Sequence, residues 1–183
     1  MQTNEILATK ISHRIPHHSI GRYDLLPIFS DVELFNEIVD HLIQPFIGRV
    51  SCVVALEATG WILGVAMAQK LNVPFISIRK GGKLPYPKNM VKEVSLVDYS
   101  HEEKKLCLKN DAIKEGMKVL IVDEWIETGA QLEAAIQLLK QFPCEIIGAC
   151  TISIRNEANK TRNLKWIQDG FVHAVGMSIR RFE

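Results

Sequence analysis

Neither sign of charge prevails in this 183-residue sequence: 22 Lys and Arg stand against 21 Asp and Glu, a net of +1. That disfavours a protein held to nucleic acid by charge, because neutralising phosphates needs a cationic excess. No apolar run reaches the length needed to span a bilayer, and Met1 to Ile15 lacks the apolar segment of a secretory signal. Cysteine is scarce. Cys52, Cys107, Cys144 and Cys150 are widely separated, lack metal-ligand spacing and mostly adjoin apolar residues, so they read as reduced core thiols. His13, His17 and His18 cluster without acidic or thiol partners nearby, which points to a solvated polar segment rather than a metal site. Internal repeats and low-complexity segments are absent. What is present, 47% hydrophobic residues in a chain of one-domain length, predicts a soluble cytoplasmic protein with neither membrane nor nucleic-acid partners.

The first fifteen residues carry little pattern, and Gly21 to Pro27 reads as extended or turn, with Pro27 keeping Leu26 out of a helix. Ser30-Asp31-Val32-Glu33 predicts a capping box with Ser30 as N-cap. Phe35, Ile38, Val39, Leu42 and Phe46 supply the buried stripe of the helix that follows, ended by Pro45 and Gly48. Val50 to Leu56 reads as a buried strand, Trp61 to Leu71 as a helix and Val73 to Ile78 as a parallel strand reached by crossover. Residues 79 to 91, rich in Gly, Pro and cations, read as a mobile loop, and Val94–Tyr99 with Lys105–Leu108 as a hairpin. Ile146–Ile154 and Phe171–Val175 are further strands. The alternation predicts one doubly wound α/β domain over 1–183 with a parallel central sheet.

One stretch organises the rest. Val119 to Val122 is a short buried strand, and Leu132, Ala135, Ile136 and Leu139 recur at helical spacing. Between them lie Asp123, Glu124 and then Glu127-Thr128-Gly129-Ala130-Gln131. A tight turn entering a helix aims unpaired N–H groups and the positive dipole end at one spot, which suits a phosphate. Two adjacent carboxylates repel a phosphate, but neighbouring sugar hydroxyls can donate to both. The predicted ligand is a sugar phosphate.

This stretch resembles the 5-phosphoribosyl-1-pyrophosphate (PRPP) motif of the type I phosphoribosyltransferases, up to Thr128-Gly129; Ala130 and Gln131 replace the usual Gly and Thr or Ser. Further segments resemble the adenine branch of that family. Arg79-Lys80-Gly81-Gly82-Lys83-Leu84-Pro85 is similar to its basic loop, and Ser95-Leu96-Val97-Asp98-Tyr99 to its Leu-Glu-Tyr lid segment. Lys109-Asn110-Asp111-Ala112 with Gly116 matches its Asp-Ala-x-x-x-Gly, and Glu57-Ala58-Thr59-Gly60 its Glu-Ala-Arg-Gly pyrophosphate turn.

The resemblance implies that a purine displaces pyrophosphate from carbon 1 of PRPP through an oxocarbenium-like transition state, in purine salvage. Ala58, Thr59, Gly60, Arg79, Lys80 and Lys83 would hold the pyrophosphate, with Lys80 also a candidate catalytic cation. Asp123, Glu124, Glu127, Thr128, Gly129, Ala130 and Gln131 would hold PRPP. Mg2+ would bridge diphosphate and ribose hydroxyls, with Asp123 and Glu124 the candidate protein ligands. Arg22, Tyr23 and Tyr99 are the candidate purine contacts, within a base-contacting segment 1–30 and a mobile lid and hairpin 80–108. Two carboxylates compete to accept the purine's proton: Asp98, matching the adenine branch's lid Glu, and Glu127, matching the 6-oxopurine enzymes. The resemblance also implies a homodimer. Thr59 replaces an Arg and approaches the xanthine enzymes' Glu-Ala-Ser-Gly, and Arg22-Tyr23 replace Phe-Arg. A 6-oxopurine enzyme and a non-catalytic PRPP-sensing regulator are therefore the alternatives to an adenine enzyme.

Overall fold

Five consecutive buried residues, Cys52–Leu56, form the central strand β1 of a computed structural model that describes residues 4–16, 23–97, 103–155 and 160–179. Parallel neighbours flank it: β2, Phe75–Lys80, on one side and β5, Lys118–Val122, on the other. Beyond β5 come β7, Glu145–Ile154, and β8, Val172–Met177, also parallel. Strands covered on both faces need continuous apolar runs, and Val-Val-Ala-Leu and Val-Leu-Ile-Val provide them.

Successive residues of a strand point to opposite faces, so β1 divides its side chains between two cores. Val53 and Ala55 pack with Leu120 and Val122 beneath three helices: α1 (Glu5–Arg14), α3 (Val32–Ile43) and α4 (Gly60–Leu71). Val54 and Leu56 pack with Ile121 beneath α5 (Ala130–Leu139), whose face is Leu132, Ala135, Leu138 and Leu139, and with Ile167 of α6 (Lys160–Gln168). Helices cover both faces, as the doubly wound reading expects.

The antiparallel hairpin of β3 (Val91–Val97) and β4 (Glu103–Lys109) joins the sheet edge through β2. Its body belongs to the core. Leu96, Leu106 and Leu108 are buried, and Lys92 donates from Nζ to the Gln141 carbonyl beyond α5 while lying 4.2 Å over the Phe142 ring. The hairpin's tip lies outside the described residues.

Several elements differ from the sequence expectations. The first fifteen residues contain α1, capped by Asn4, whose Oδ1 accepts from Leu7 N at 3.0 Å; only Leu7 and Ile11 are buried, a stripe too thin to show as periodicity. Pro27 sits in the first turn of a short helix α2, Leu26–Phe29, where its missing N–H costs nothing. Asp31 rather than Ser30 caps α3, because its carboxylate accepts from Leu34 N at 3.0 Å and is gripped by Arg14 of α1. Pro74, which has no N–H for a ladder, delays β2 to Phe75. Helix α6 went unpredicted because its buried residues are Asn163 and Ile167, one of them polar. Among the described residues no helix is long and apolar enough to cross a membrane.

Candidate active site

β1 and β5 run side by side and end at the same edge of the sheet, so the turn after each is brought into contact with the other. A Cβ on Gly60 would lie 3.1 Å from Asp123 Oδ1 and 3.3 Å from the Val122 carbonyl, so glycine lets α4 begin this close without displacing the acid. β5 does not stop at the acids. Trp125–Ile126, β6, pairs with β7 in the same register as β5, and Asp123 N and the Glu124 carbonyl bond to β7 across the interruption. The two acids therefore sit in a break within one strand rather than in a loose loop.

Asp123 is buried, only 6% exposed. Burial, followed by the charge of Glu124, raises its pKa well above the usual carboxylate range, offset in part by the Glu124 N–H and by Lys80. A carboxyl so placed gains from any hydroxyl that donates to it. Beside it a small open cavity of about 40 Å³ is lined by Asp123 and by residues 125 to 132. Gly129 caps α5 at φ 78°, and a Cβ there would lie 2.6 Å from Asn163 Oδ1 and 2.8 Å from the Trp166 ring. Thr128 Oγ1 accepts from Ala130 N at 3.3 Å. Residues 127 to 131 thus form the turn into a helix that the sequence predicts, lining that cavity.

Across the Gly60 contact lies the cationic side. The Glu57–Ala58 peptide is cis. Glu57, its side chain 7% exposed, accepts from Lys83 Nζ at 2.6 Å, Lys80 N at 2.8 Å and Arg79 Nε at 3.1 Å. Arg79 also lies 5.0 Å over the Trp61 ring. The sequence expectation directed Arg79, Lys80 and Lys83 at a leaving group; here Arg79 and Lys83 are held by a carboxylate, while the charge of Lys80 acts on Asp123.

Burial raises the Glu57 pKa, but the bonds from Lys83, Lys80 N and Arg79 outweigh it and bring the carboxyl from 4.5 down to about 2. A depressed carboxylate contributes stability that is complete above its unfolded pKa and is lost as pH falls through the folded one. Denaturant titrations between pH 4.5 and 2 should therefore show a stability loss in the native chain that Glu57→Gln reduces. Parallel curves for the two proteins would show that the three bonds do not favour the ionised form.

Of the residues expected to contact a purine, Tyr23 meets Trp125 edge-on, ring centroids 5.4 Å apart at 70°. Trp125 lines the cavity and was missed from sequence; its signal was an aromatic residue directly after the two acids. Arg22, Asp98 and Tyr99 lie outside the described residues. Glu127 is half-exposed and faces Arg155, Oε1 to Nη1 3.7 Å, while its carbonyl accepts from Asn163 Nδ2 at 2.9 Å. Ala58 and Thr59 form the turn between β1 and α4, with Thr59 at the N-cap making no side-chain capping bond. No cluster of three or more His, Cys, Asp or Glu able to hold a metal exists among the described residues. The Asp123–Glu124 pair still fits a hard cation of the Mg2+ type, which is normally held by one or two carboxylates together with substrate phosphates.

The fold corresponds to that of known proteins. The phosphoribosyl transferase domain matches residues 32–178. An adenine phosphoribosyltransferase of Chelativorans sp. (strain BNC1) is 38% identical over 138 residues, 75% of this chain and 74% of the relative. One from Neorhizobium galegae is 37% identical over 153 residues, 82% of each chain. The crystal structure of adenine phosphoribosyltransferase from Rhodothermus marinus DSM 4252 superposes with a TM-score of 0.80 at 27% identity, covering 95% of this chain and 99% of that one. With the domain matched across most of the chain and two relatives aligned over 75% and 82% of it, this chain belongs to the phosphoribosyltransferase family, beside the adenine phosphoribosyltransferases.

Proposed function

We propose that the chain transfers the 5-phosphoribosyl group of PRPP to adenine, releasing pyrophosphate and giving AMP, in purine salvage. The observation that carries this reading is the contact of two turns at the ends of neighbouring parallel strands. One is shaped for a phosphate, the other is flanked by cations, and a buried carboxyl stands between them. A molecule bearing a phosphate at one end, a diphosphate at the other and hydroxyls between fits that order. The relatives' name, adenine phosphoribosyltransferase, supports the choice of base.

In this reading the N–H groups of residues 128 to 131 hold the 5-phosphate at the positive end of α5. Asp123 and Glu124 accept from the ribose hydroxyls and fix carbon 1 toward the base. As the bond to the diphosphate breaks, its growing negative charge is met by Lys80, Arg79 and Lys83, and by backbone N–H groups at residues 58 to 60. Arg79 bonds Glu57 through Nε, and the Arg79 Nη groups and the other Lys83 protons are further donors that suit diphosphate oxygens. Mg2+, held by the diphosphate with Asp123 or Glu124, would neutralise part of that charge. Adenine attacks carbon 1 through a ring nitrogen and gives up its proton to a carboxylate, with Asp98 the first candidate. Tyr23, Arg22 and Tyr99 would line the base site. The loop after β2 and the open end of the hairpin would cover the reaction and exclude water, since the hairpin's body is packed against α5. A homodimer, a cytoplasmic location and the absence of nucleic-acid or membrane partners go with this reading.

The test is pyrophosphate release from PRPP against a panel of purines, with adenine expected to be preferred. PRPP binding without turnover on any purine would overturn the enzymatic reading. Lys80→Ala should weaken pyrophosphate by about 1.5–3 kcal/mol, the size of a lost charged hydrogen bond, and leave the adenine KM nearly unchanged. Calorimetry with pyrophosphate checks it; a loss confined to adenine would move Lys80 out of the leaving-group site.

A further inference from the structure

We propose that Asn163 and Arg162, on the unpredicted helix α6, are positioning residues that aim the phosphate turn from behind. The inference rests on the reading of residues 127–131 as the 5-phosphate site. Asn163 is fully buried, and its one amide nitrogen donates to two carbonyls: Arg155 O at the end of β7 at 2.7 Å and Glu127 O at 2.9 Å. Arg162 Nη2 donates to Thr128 O at 2.7 Å, and the same guanidinium is anchored by Glu133 of α5 and lies 5.6 Å from the Trp166 ring centroid. Two successive carbonyls of the turn are therefore held by side chains of one neighbouring helix.

A trans peptide unit is planar, with its C=O and N–H directed oppositely. Holding Glu127 O on α6 turns the Thr128 N–H away from α6, and holding Thr128 O does the same for the Gly129 N–H. Both residues line the cavity, so the grip at the back orients the donors at the front. Gly129 completes the arrangement. Its positive φ carries the chain into α5, and the approach of Asn163 and Trp166 leaves no room for a Cβ. Free turns present N–H groups in many directions; a turn clamped at consecutive carbonyls presents them in one, which lowers the ordering cost of binding. Asn163 also sets Glu127 and Arg155 relative to each other, because it holds the backbone of both.

Ribose 5-phosphate tests this, since it carries the phosphate without diphosphate or base. Its affinity is measured by calorimetry on the native chain, Asn163→Ala, Arg162→Ala and Arg162→Lys, alongside steady-state KM for PRPP and adenine. We expect Asn163→Ala and Arg162→Ala each to weaken ribose 5-phosphate about tenfold or more and to raise the PRPP KM in step. The adenine KM should stay within about twofold, and Arg162→Lys, which keeps one donor, should recover part of the loss. Unchanged ribose 5-phosphate affinity in folded variants of a native chain that binds it would overturn the inference. Equal losses for PRPP and adenine, or in kcat alone, would do the same by showing only a structural role. If Asn163→Ala does not fold, the Arg162 pair, at a part-exposed side chain, decides alone. Failure of the native chain to bind ribose 5-phosphate would remove the phosphate-turn reading itself, and the positioning role with it.

Discussion

Asp123→Asn combined with Glu124→Gln is expected to abolish measurable PRPP binding while cooperative unfolding survives. The acids stand in the break of a strand that stays paired to β7 on both sides, so the fold does not depend on their charge. Each leaves one carboxyl oxygen fewer to accept from a ribose hydroxyl, worth about 1.5–3 kcal/mol, so the pair should cost roughly 10²–10⁴-fold in affinity. Stability should move the other way. Asp123 is buried with a raised pKa, and such a group contributes stability only below its unfolded pKa and loses it as pH rises through the folded one. At neutral pH the native chain carries that penalty and an amide does not. The double variant should therefore melt no lower than the native chain at pH 7, and less pH-dependently above the ordinary Asp range. Calorimetry with PRPP and melting against pH measure the two effects. Unchanged PRPP affinity would remove these acids from the ribose site.

Asp98→Asn should lower turnover with adenine by about 10²–10⁴-fold, the usual contribution of general acid–base help, with PRPP binding nearly normal. Glu127→Ala should be mild. The Glu127 carboxylate faces Arg155, and its backbone carbonyl is taken by Asn163, so what is visible of Glu127 serves the shape of the turn. The Leu96–Tyr99 segment matches the adenine branch around Asp98, whereas Glu127 matches the 6-oxopurine enzymes as a single residue. Steady-state kinetics on both variants, with adenine and hypoxanthine, separates the cases. The reverse order of effects would transfer the proton-accepting role to Glu127 and turn substrate preference toward a 6-oxopurine. Full activity in both variants would require another acceptor, such as water.

What the amino-acid order determines by itself is the part of this protein built from one segment at a time. Val119 to Val122 and Cys52 to Leu56 are apolar without interruption because both faces of those strands are covered, and a run of that kind is visible without coordinates. The helical spacing of Leu132, Ala135 and Leu139 and the turn residues Thr128-Gly129 are local in the same sense, so the strand and the turn into α5 were legible, whereas the continuation of the strand past the acids as β6 was not. The tertiary structure alone decided what depends on side chains far apart in sequence. Glu57 meets Lys83, and Gly60 meets Asp123, because β1 adjoins both β2 and β5; the crossover read from sequence implies the first pairing, but no spacing encodes the second. Tyr23 meets Trp125 although the two are far apart in sequence. Helix α6 escaped notice because hydrophobic periodicity reports apolar burial, and Asn163 is buried through hydrogen bonds to carbonyls instead. A buried polar side chain is stabilised by partners at fixed positions in space, and those positions exist only once the chain has folded.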